Sequence, residues 1–480
     1  MGFYRDRKSN KLTSSISVLA ITISLVAAQS ATHKSLAQTA TAPAPGGVTS
    51  INGAGSSAVN TLLLGTGTTA PFAPEGSWFN VFGVGNPPSL NNPAGIANGP
   101  VAPGFTFRYA PVGSGAGITS FFTQTPPSVP GGTPALNNLT ILRPVSFGAT
   151  DDPLVGTDIE RIVTGTSNSG KAIQVPVVGV GIALAFNRTG LNVPAAGLRL
   201  SRITYCGILN GTITNWNDIR IRNDNGGAII AANLPLRVVR RSDSSGTTFA
   251  LSTHVNTICK PAATPGIPTA NTWSRGVGNI SASGTVPPAP PANTVVWPAS
   301  FLSAAGGGGV ATAISSTSGA IGYVDSATRL ARSLPAALLQ NRTGAYVGPT
   351  TSGIQNALAS GTIVRYGAAP ANRLIRIDGL ADPTVATAYP ISTASYFLFY
   401  DVYAGSNTTG PAAGIRQFIN WALANAAQPV PPAANSSSPT PDQIAIARGY
   451  APLPNNIKTV ARTVVNTCVN TTSGPSPCTP

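Results

Sequence analysis

Apolar runs alternate along the chain with segments of helical periodicity. The runs at 175–186, 234–240 and 396–400 predict buried strands because each is short, continuous and rich in β-branched or aromatic residues. Between 413 and 426, apolar residues recur at helical spacing and predict an amphipathic helix in which Trp421 packs in the core. Strands that alternate with helices in this way are typical of an α/β fold.

The first apolar run differs from the others. Basic residues at 5–11 precede the apolar stretch 16–28, which is too short to span a bilayer, and the small residues Ser35 and Ala37 follow it. The pattern predicts a cleaved signal peptide over 1–37, a flexible mature N-terminus over 38–49, and a periplasmic or secreted location. Since no cysteine lies near the cleavage site, a lipid anchor is not expected.

Composition narrows the classes of function. The composition, 42% apolar and only 9% charged, excludes a disordered chain, and the 480 residues allow two or three domains. Lys and Arg number 29 against 14 Asp and Glu, so the net charge of +15 attracts anions. The basic residues are scattered and lack aromatic stacking platforms, which argues against nucleic acid and leaves small oxyanions as candidates.

Four cysteines fit an oxidising compartment and allow three pairings, of which we favour Cys206–Cys259 and Cys468–Cys478. A metal site is not expected because no CxxC pair occurs and His254 is the one histidine left after signal removal. The sequence calls for no cofactor.

Three short segments, 52–58, 113–118 and 240–248, share a glycine- and hydroxyl-rich composition, and each joins a strand-like run to a helix start. Glycines let the backbone approach a ligand, and helix N-termini present unpaired N–H groups to an anion. Arg241 adds a planar fork that matches two oxygens of a tetrahedral oxyanion, with Asp243 holding it in place. Each segment alone is more often a simple helix cap.

A fourth segment, 145–152, brings Asp151 to the same group of loops. A carboxylate repels an anion unless the anion carries a proton that the carboxylate accepts. Phosphate holds such a proton near neutral pH, whereas sulfate would leave the buried carboxylate unsatisfied. Arsenate also carries a proton, and Asp151 read alone is equally well a helix cap or a loop acid.

Seven motifs carry a resemblance to a known family. They are "INGAGSS" at 51–57, "GSGAGI" at 113–118, "FGATDDPL" at 147–154, "LNGTITNWNDIRI" at 209–221, "VVRRSDSSGTT" at 238–248, "SGAIGYVD" at 318–325 and "YPIST" at 389–393. In these motifs and their order, the chain resembles the PstS family, the phosphate-binding subunits of bacterial phosphate ABC importers, and its DING-protein group in particular.

The resemblance implies a type II periplasmic-binding-protein fold, in which two α/β lobes are joined by two crossover strands and hold the ligand in the cleft between them. The crossovers are expected near 177–180 and 389–392. Lobe I would comprise 50–179 and 390–480, and lobe II 180–389.

The same resemblance implies the ligand contacts. Family phosphate ligands map onto Ser57, Ala58, Ser114, Asp151, Arg241, Ser245, Gly246 and Thr247. Ser57 stands where the family commonly has Thr, and Ala58 where it has Phe or Leu. In the DING group the cysteines equivalent to Cys206 and Cys259 form a disulfide.

The expected function is capture of inorganic phosphate by an exported monomer that serves a membrane permease and binds no nucleic acid. One alternative is a phosphate-sensing or extracellular interaction protein. Another is a hydrolase with a phosphate pocket, against which stand the absence of a GxSxG motif and the single remaining histidine.

Overall fold

The computed structural model describes residues 49–65, 67, 76–82, 104–124, 145–154, 162–163, 168–278, 280–281, 294–366, 373–425 and 439–471. The predicted signal peptide and Cys478 lie outside the described residues. Of the segment expected to be flexible, 38–49, only Thr49 is described. Thr49 begins the first strand and pairs with Phe105.

The strands, in chain order, are β1 Thr49–Gly55, β2 Phe105–Ala110, β3 Val145–Thr150, β4 Ile162–Val163, β5 Asn168–Phe186, β6 Arg199–Leu200, β7 Arg237–Arg241, β8 Ile280–Ser281, β9 Thr294–Val295, β10 Leu302–Ala304, β11 Ala320–Asp325, β12 Leu338–Gln340, β13 Tyr346–Val347, β14 Thr362–Tyr366, β15 Leu374–Asp378, β16 Ser392–Tyr403 and β17 Asn470–Thr471.

The α-helices are α1 Asn60–Leu63, α2 Trp78–Phe82, α3 Ser114–Thr123, α4 Arg202–Asn210, α5 Ile219–Asp224, α6 Gly246–Ile258, α7 Gly306–Ser316, α8 Ser326–Ala331, α9 Thr351–Ala359, α10 Pro411–Ala422, α11 Pro441–Ala447 and α12 Asn455–Cys468. Two 3₁₀ helices span Ser57–Val59 and Thr269–Asn271.

One sheet dominates the described part of the chain, with the strand order β10-β7-β11-β5-β16-β3-β1-β2. Strands β1, β2 and β3 are parallel and form one half, while β7, β10 and β11 are parallel and form the other. The long antiparallel strands β5 and β16 lie between the halves, and β5 pairs with β16 and β11 along its length. This mixed α/β arrangement confirms the expected fold class.

The runs 175–186 and 396–400 lie in β5 and β16, the run 234–240 overlaps β7 from Arg237 onward, and the helix predicted from 413 onward is α10. This helix begins at Pro411, because proline is well suited to the first helical position, and it ends at Ala422. Trp421 is buried against Trp78 and Phe418, as the helical periodicity predicted.

A bulge interrupts the central pairing of β5 with β16. The register shifts between Ser395, which pairs with Val178, and Tyr396, which pairs with Pro176, so that Val177 is the extra residue on β5. Proline has no N–H to donate to a sheet and is tolerated at bulges, where the chain also changes the direction of a side chain. The bulge therefore lies next to Ser395, at a point where the direction of side chains in the sheet changes.

A disulfide joins Cys206 and Cys259, with 5.7 Å between their Cα atoms, and confirms that predicted pairing. Cys206 lies in α4, and Cys259 caps the C-terminus of α6. Among the described residues, no helix is both long enough and apolar enough to cross a membrane.

Candidate functional site

The ends of the parallel strands determine where the polar loops meet. β1 and β3 are neighbours in one half of the sheet, and β7 and β11 are neighbours in the other. Each of these four strands is followed, at its carboxyl end, by a polar loop or by the start of a helix. In open α/β sheets, ligands bind in the crevice at the carboxyl ends of the strands. The predicted anion-binding segments lie at this position.

Asp151 follows the last residue of β3 and is only 1% exposed. Ser56 Oγ donates a hydrogen bond to its Oδ2 at 2.6 Å, and Ser395 Oγ donates to its Oδ1. Its backbone N–H donates to Ser114 Oγ at 3.2 Å. Both carboxylate oxygens are thus held by serine hydroxyls, one from the turn after β1 and one from β16, which fixes the orientation of the carboxylate.

Burial raises the pKa of Asp151 above its ordinary value. The hydrogen bonds from Ser395 and Ser56 and the positive charge of Arg241 oppose this shift without reversing it. The carboxylate therefore has an increased affinity for a proton in a place with little access for water. A ligand with an O–H group can donate a hydrogen bond to this carboxylate.

Arg241 ends β7 and is 2% exposed. Its Nε donates to Asp243 Oδ1 at 2.7 Å and its Nη2 donates to Asp243 Oδ2. Burial opposes the charged guanidinium, but the Asp243 carboxylate outweighs burial and raises the pKa of Arg241. Asp243 holds this arginine as the sequence suggested, and Nη1 takes part in neither bond.

The N-terminus of α6 contacts two of the other loops. Ser245 caps this helix, and its Oγ accepts the Thr248 N–H at 3.2 Å. At Gly246, a Cβ would lie 2.5 Å from Ser114 Oγ and 2.8 Å from Asp151 Cβ. Any larger residue would push these loops apart, so glycine is required for the segments to meet.

The start of α3 makes a second contact of this kind. Gly113 has a φ of +96°, which favours glycine, and a Cβ here would lie 2.5 Å from Ser244 O and 3.0 Å from Asp243 Oδ2. The segments at 113–118 and 240–248 are therefore in direct contact across the two halves of the sheet.

Ser57 and Ala58 form the 3₁₀ turn after β1, where Ser56 Oγ accepts the Ala58 N–H at 3.0 Å. Ser57 Oγ accepts the Gly307 N–H at 3.4 Å. Gly306 donates its N–H to Asp243 Oδ1 at 2.9 Å. The first turn of α7 thus lies against both the turn that contains Ser57 and the Asp243 carboxylate that pairs with Arg241.

The structure brings together the segments that contain all eight predicted ligand residues and the supporting Asp243. It also adds groups that sequence reasoning missed. Ser56 and Ser395 hold Asp151, the start of α7 contacts Ser57 and Asp243, and Asp325 ends β11 beside them. The run of four glycines at 306–309 normally indicates a loop and did not mark the start of α7, and nothing local in the sequence marked Ser395.

Tyr323 supports the arginine segment from β11. Its hydroxyl accepts the Arg241 N–H at 3.0 Å and lies 2.7 Å from Thr248 Oγ1. Because Tyr323 is buried, these bonds fix the end of β7 relative to the first turn of α6.

Comparison with known proteins is consistent with this geometry. The model of the PBP superfamily domain matches residues 89–426. A phosphate-binding protein PstS of Methanocaldococcus jannaschii is 25% identical over 333 residues, which cover 67% of this chain and 73% of the relative. The alkaline phosphatase L of Pseudomonas aeruginosa is 24% identical over 320 residues, which cover 65% of this chain and 73% of that protein.

Two solved structures show the same fold. A phosphate-binding protein from Stenotrophomonas maltophilia aligns with a TM-score of 0.58 and 22% identity, covering 90% of this chain and 98% of that one. A periplasmic phosphate-binding protein called PfluDING aligns with a TM-score of 0.55 and 21% identity, covering 86% and 93%. These likenesses confirm the periplasmic-binding-protein fold, and the chain belongs to the PBP superfamily.

Proposed function

We propose that this protein captures inorganic phosphate outside the cytoplasm and delivers it to the permease of an ABC-type importer. The observation that carries the proposal is the buried carboxylate of Asp151, which lies among helix N-termini. The positive charge of Arg241 acts on this carboxylate and lowers its pKa, against the effect of burial. The similarity to relatives named phosphate-binding protein PstS supports the importer role.

The donors and the acceptor of the site fit phosphate. N–H groups at the starts of α3 and α6, the hydroxyls of Ser57, Ser114 and Thr247, and the Arg241 guanidinium donate to phosphate oxygens. Asp151 accepts the proton that phosphate retains. Sulfate offers no proton and would leave the carboxylate facing an oxygen of like charge, at a cost of about 1–3 kcal/mol or more.

The two-lobe division follows from the same proposal. Lobe I would contain 50–179 and 390–480 and lobe II 180–389, with β5 and β16 connecting them. The contacts of Gly246 with Asp151 and of Gly307 with Ser57 would then cross the cleft, and phosphate would hold the lobes together.

We infer that the protein binds phosphate without acting on its esters. His254 is the one histidine among the described residues, and it lies buried with Nδ1 2.6 Å from Ala381 O and Nε2 3.1 Å from Tyr205 OH. Both ring nitrogens are engaged away from Asp151 and Arg241, so this imidazole does not serve as a base at the site. Burial also lowers the pKa of His254 to about 4.

Hydrolysis of phosphate monoesters is the second candidate because of the similarity to alkaline phosphatase L. Incubation of the purified protein with a chromogenic phosphate monoester separates the two functions. The binding role predicts no release of phosphate from the ester, whereas steady release of phosphate that Arg241→Ala abolishes would establish the enzyme.

Equilibrium dialysis against labelled phosphate tests the proposed site. Arg241→Ala should abolish measurable binding, and Arg241→Lys, which keeps the charge but loses the planar fork, should weaken it by about 100-fold. Arg188→Ala is the matched control because that arginine is exposed and lies beyond the end of β5. Near-normal binding by Arg241→Ala would refute the assignment.

The importer role has its own test. Co-purification of the protein with a permease, or phosphate-dependent stimulation of the ATPase activity of a reconstituted permease, would support transport. Tight phosphate binding with neither result would favour the sensing or interaction role instead.

A further inference from the structure

Charge is distributed unevenly along the chain. Residues 180–389 contain 16 Lys and Arg against 6 Asp and no Glu, a net charge of +10. The rest of the chain after the predicted signal peptide, 38–179 and 390–480, contains 8 Lys and Arg against 7 Asp and Glu, a net charge of +1. The segment 180–389 therefore carries almost all of the net charge that attracts anions.

A cavity of about 340 Å³ opens on this basic segment, at the C-terminal end of α6. Its lining residues are Thr257, Lys260, Ala262, Ala263, Arg342 and Asp382. The helical rise places Thr257 about 16 Å from Gly246, which contacts Asp151 at the other end of the same helix. The volume equals that of about ten water molecules, which is more than one tetrahedral anion fills. The cavity is therefore separate from the phosphate site and larger than that site needs to be.

Lys260 lies on a turn that the fold holds in place. It follows Cys259, whose disulfide ties the end of α6 to α4. The Lys260 carbonyl accepts the Ala263 N–H at 3.0 Å and the Thr264 N–H at 2.9 Å. The Ile258 carbonyl at the helix end accepts the Thr264 hydroxyl at 2.7 Å, so this oxygen is bonded within the turn. The exposed Lys260 side chain thus extends from an ordered backbone.

Arg342 lies on the turn between β12 and β13, and the residue before it anchors that turn. Asn341 is buried, and its Oδ1 accepts the Thr343 N–H at 3.1 Å. Its Nδ2 donates to the Ala386 carbonyl at 2.7 Å, in the same loop that contains Asp382. The Arg342 side chain is exposed. The two cations that line the cavity therefore lie on two different turns, each held by hydrogen bonds of its own.

Asp382 is the one carboxylate that lines the cavity, and it is already paired. Arg202 Nη2 donates to Asp382 Oδ1, and Arg202 Nη1 donates to Ala263 O at 3.4 Å. The Arg202 side chain is only 7% exposed and lies against these two lining residues. Among the described residues, neither Lys260 nor Arg342 forms an ion pair. Three cationic side chains and one carboxylate thus meet at the cavity, and no unpaired carboxylate there repels an anion.

We propose that this cavity is a second anion site, which takes a small oxyanion with several charged groups, such as a condensed phosphate or a tricarboxylate. The planar fork of Arg342 binds two oxygens of one group, and the ammonium of Lys260 binds a second group as a point charge. An anion with a single charged group contacts only one of the two cations and binds more weakly. The proposal does not depend on phosphate binding at Asp151.

Calorimetric titration with triphosphate and, separately, with citrate tests the proposal, in about 1 mM orthophosphate so that the cleft at Asp151 is occupied. The unmodified protein should bind one of these anions per chain, and salt should weaken the binding. The double variant Lys260→Ala, Arg342→Ala should weaken it by about 10- to 30-fold. The double variant Arg188→Ala, Arg237→Ala is the matched control, because it removes two exposed arginines of the same segment outside the cavity, and its affinity should stay within about twofold.

Loss of affinity confined to the cavity variant would support the site, and the anion that binds, triphosphate or citrate, would identify the ligand class. Equal losses in both double variants would show attraction by net charge alone and overturn the proposal, as would no binding of either anion.

Arg241→Ala separates the two sites. It should keep triphosphate binding, and a loss there with the cavity variant unaffected would place the anion at Asp151 and contradict the second site. Absence of orthophosphate binding alone would overturn only the proposed function. If the cavity double variant does not fold, Arg342→Glu on its exposed turn decides: a loss of at least about tenfold supports the site, and unchanged affinity contradicts it.

Discussion

At the scale of single residues, the proposed phosphate site depends on the hydrogen bonds that orient Asp151. Two serine hydroxyls bind its two oxygens, and burial raises its pKa, so the carboxylate is fixed in orientation and ready to accept a ligand proton. In the function proposed above, discrimination between phosphate and sulfate would come from the interaction that sulfate leaves unmade.

Asp151→Asn should lower the preference for phosphate over sulfate by about 10- to 100-fold, the equivalent of one unmade buried hydrogen bond. The amide no longer repels sulfate and offers an N–H to its oxygen. Competition binding with both anions measures the ratio of dissociation constants, with Asp218→Asn as the control at a carboxylate outside the site. An unchanged ratio in Asp151→Asn would rule out the proton-acceptor role.

Residue composition anticipated part of this arrangement. The residue types of Arg241, Asp243 and the glycine-rich loops predicted an anion site. The resemblance to PstS proteins added Ser57 and Ala58 to it. Ser395 was not predictable, because a bulge on β5 between Pro176 and Val178 sets its position and a period-two pattern contains no information about a register shift.

At the scale of secondary structure, α6 links the site to the core. Its N-terminus contacts Asp151 and Ser114 through Gly246, and its C-terminus is tied to α4 by the Cys206–Cys259 disulfide. The disulfide closes a loop across a sequence separation of 53 residues and restricts the unfolded chain.

The double variant Cys206→Ala, Cys259→Ala should lower the free energy of unfolding by about 2–4 kcal/mol. Phosphate affinity should change little, because the 13 residues of α6 separate the disulfide from the binding end by about 20 Å. Urea unfolding monitored by circular dichroism measures the first quantity and calorimetry the second. Unchanged stability, or a large loss of affinity, would contradict this separation of roles.

The strands and α10 were predicted from their periodicity because burial on one or both faces leaves a strong pattern in the sequence. The helix start at Gly306 was not, since glycine has a low helix propensity and a run of it normally indicates a loop. Here the small residues allow α7 to approach Ser57 and Asp243, so close packing at the site outweighs local preference.

At the scale of the whole molecule, the site is assembled from segments that begin at Ser56 and end at Ser395 in the sequence. The parallel strands of each half end at the same edge of the sheet, and β5 and β16 bring the two edges together. No local sequence pattern predicts that the loops of the two halves lie next to each other. The sequence therefore indicated the chemistry of each loop, and the sheet topology was needed to bring the loops to one site.

We propose that this cleft binds a tetrahedral anion that still carries a proton. Calorimetric titration of the purified protein with phosphate and then sulfate, at pH 7 and equal ionic strength, tests it most directly. We expect saturable binding of one phosphate per chain and no heat of binding from sulfate. Equal binding of the two anions, or no binding of phosphate, would contradict it.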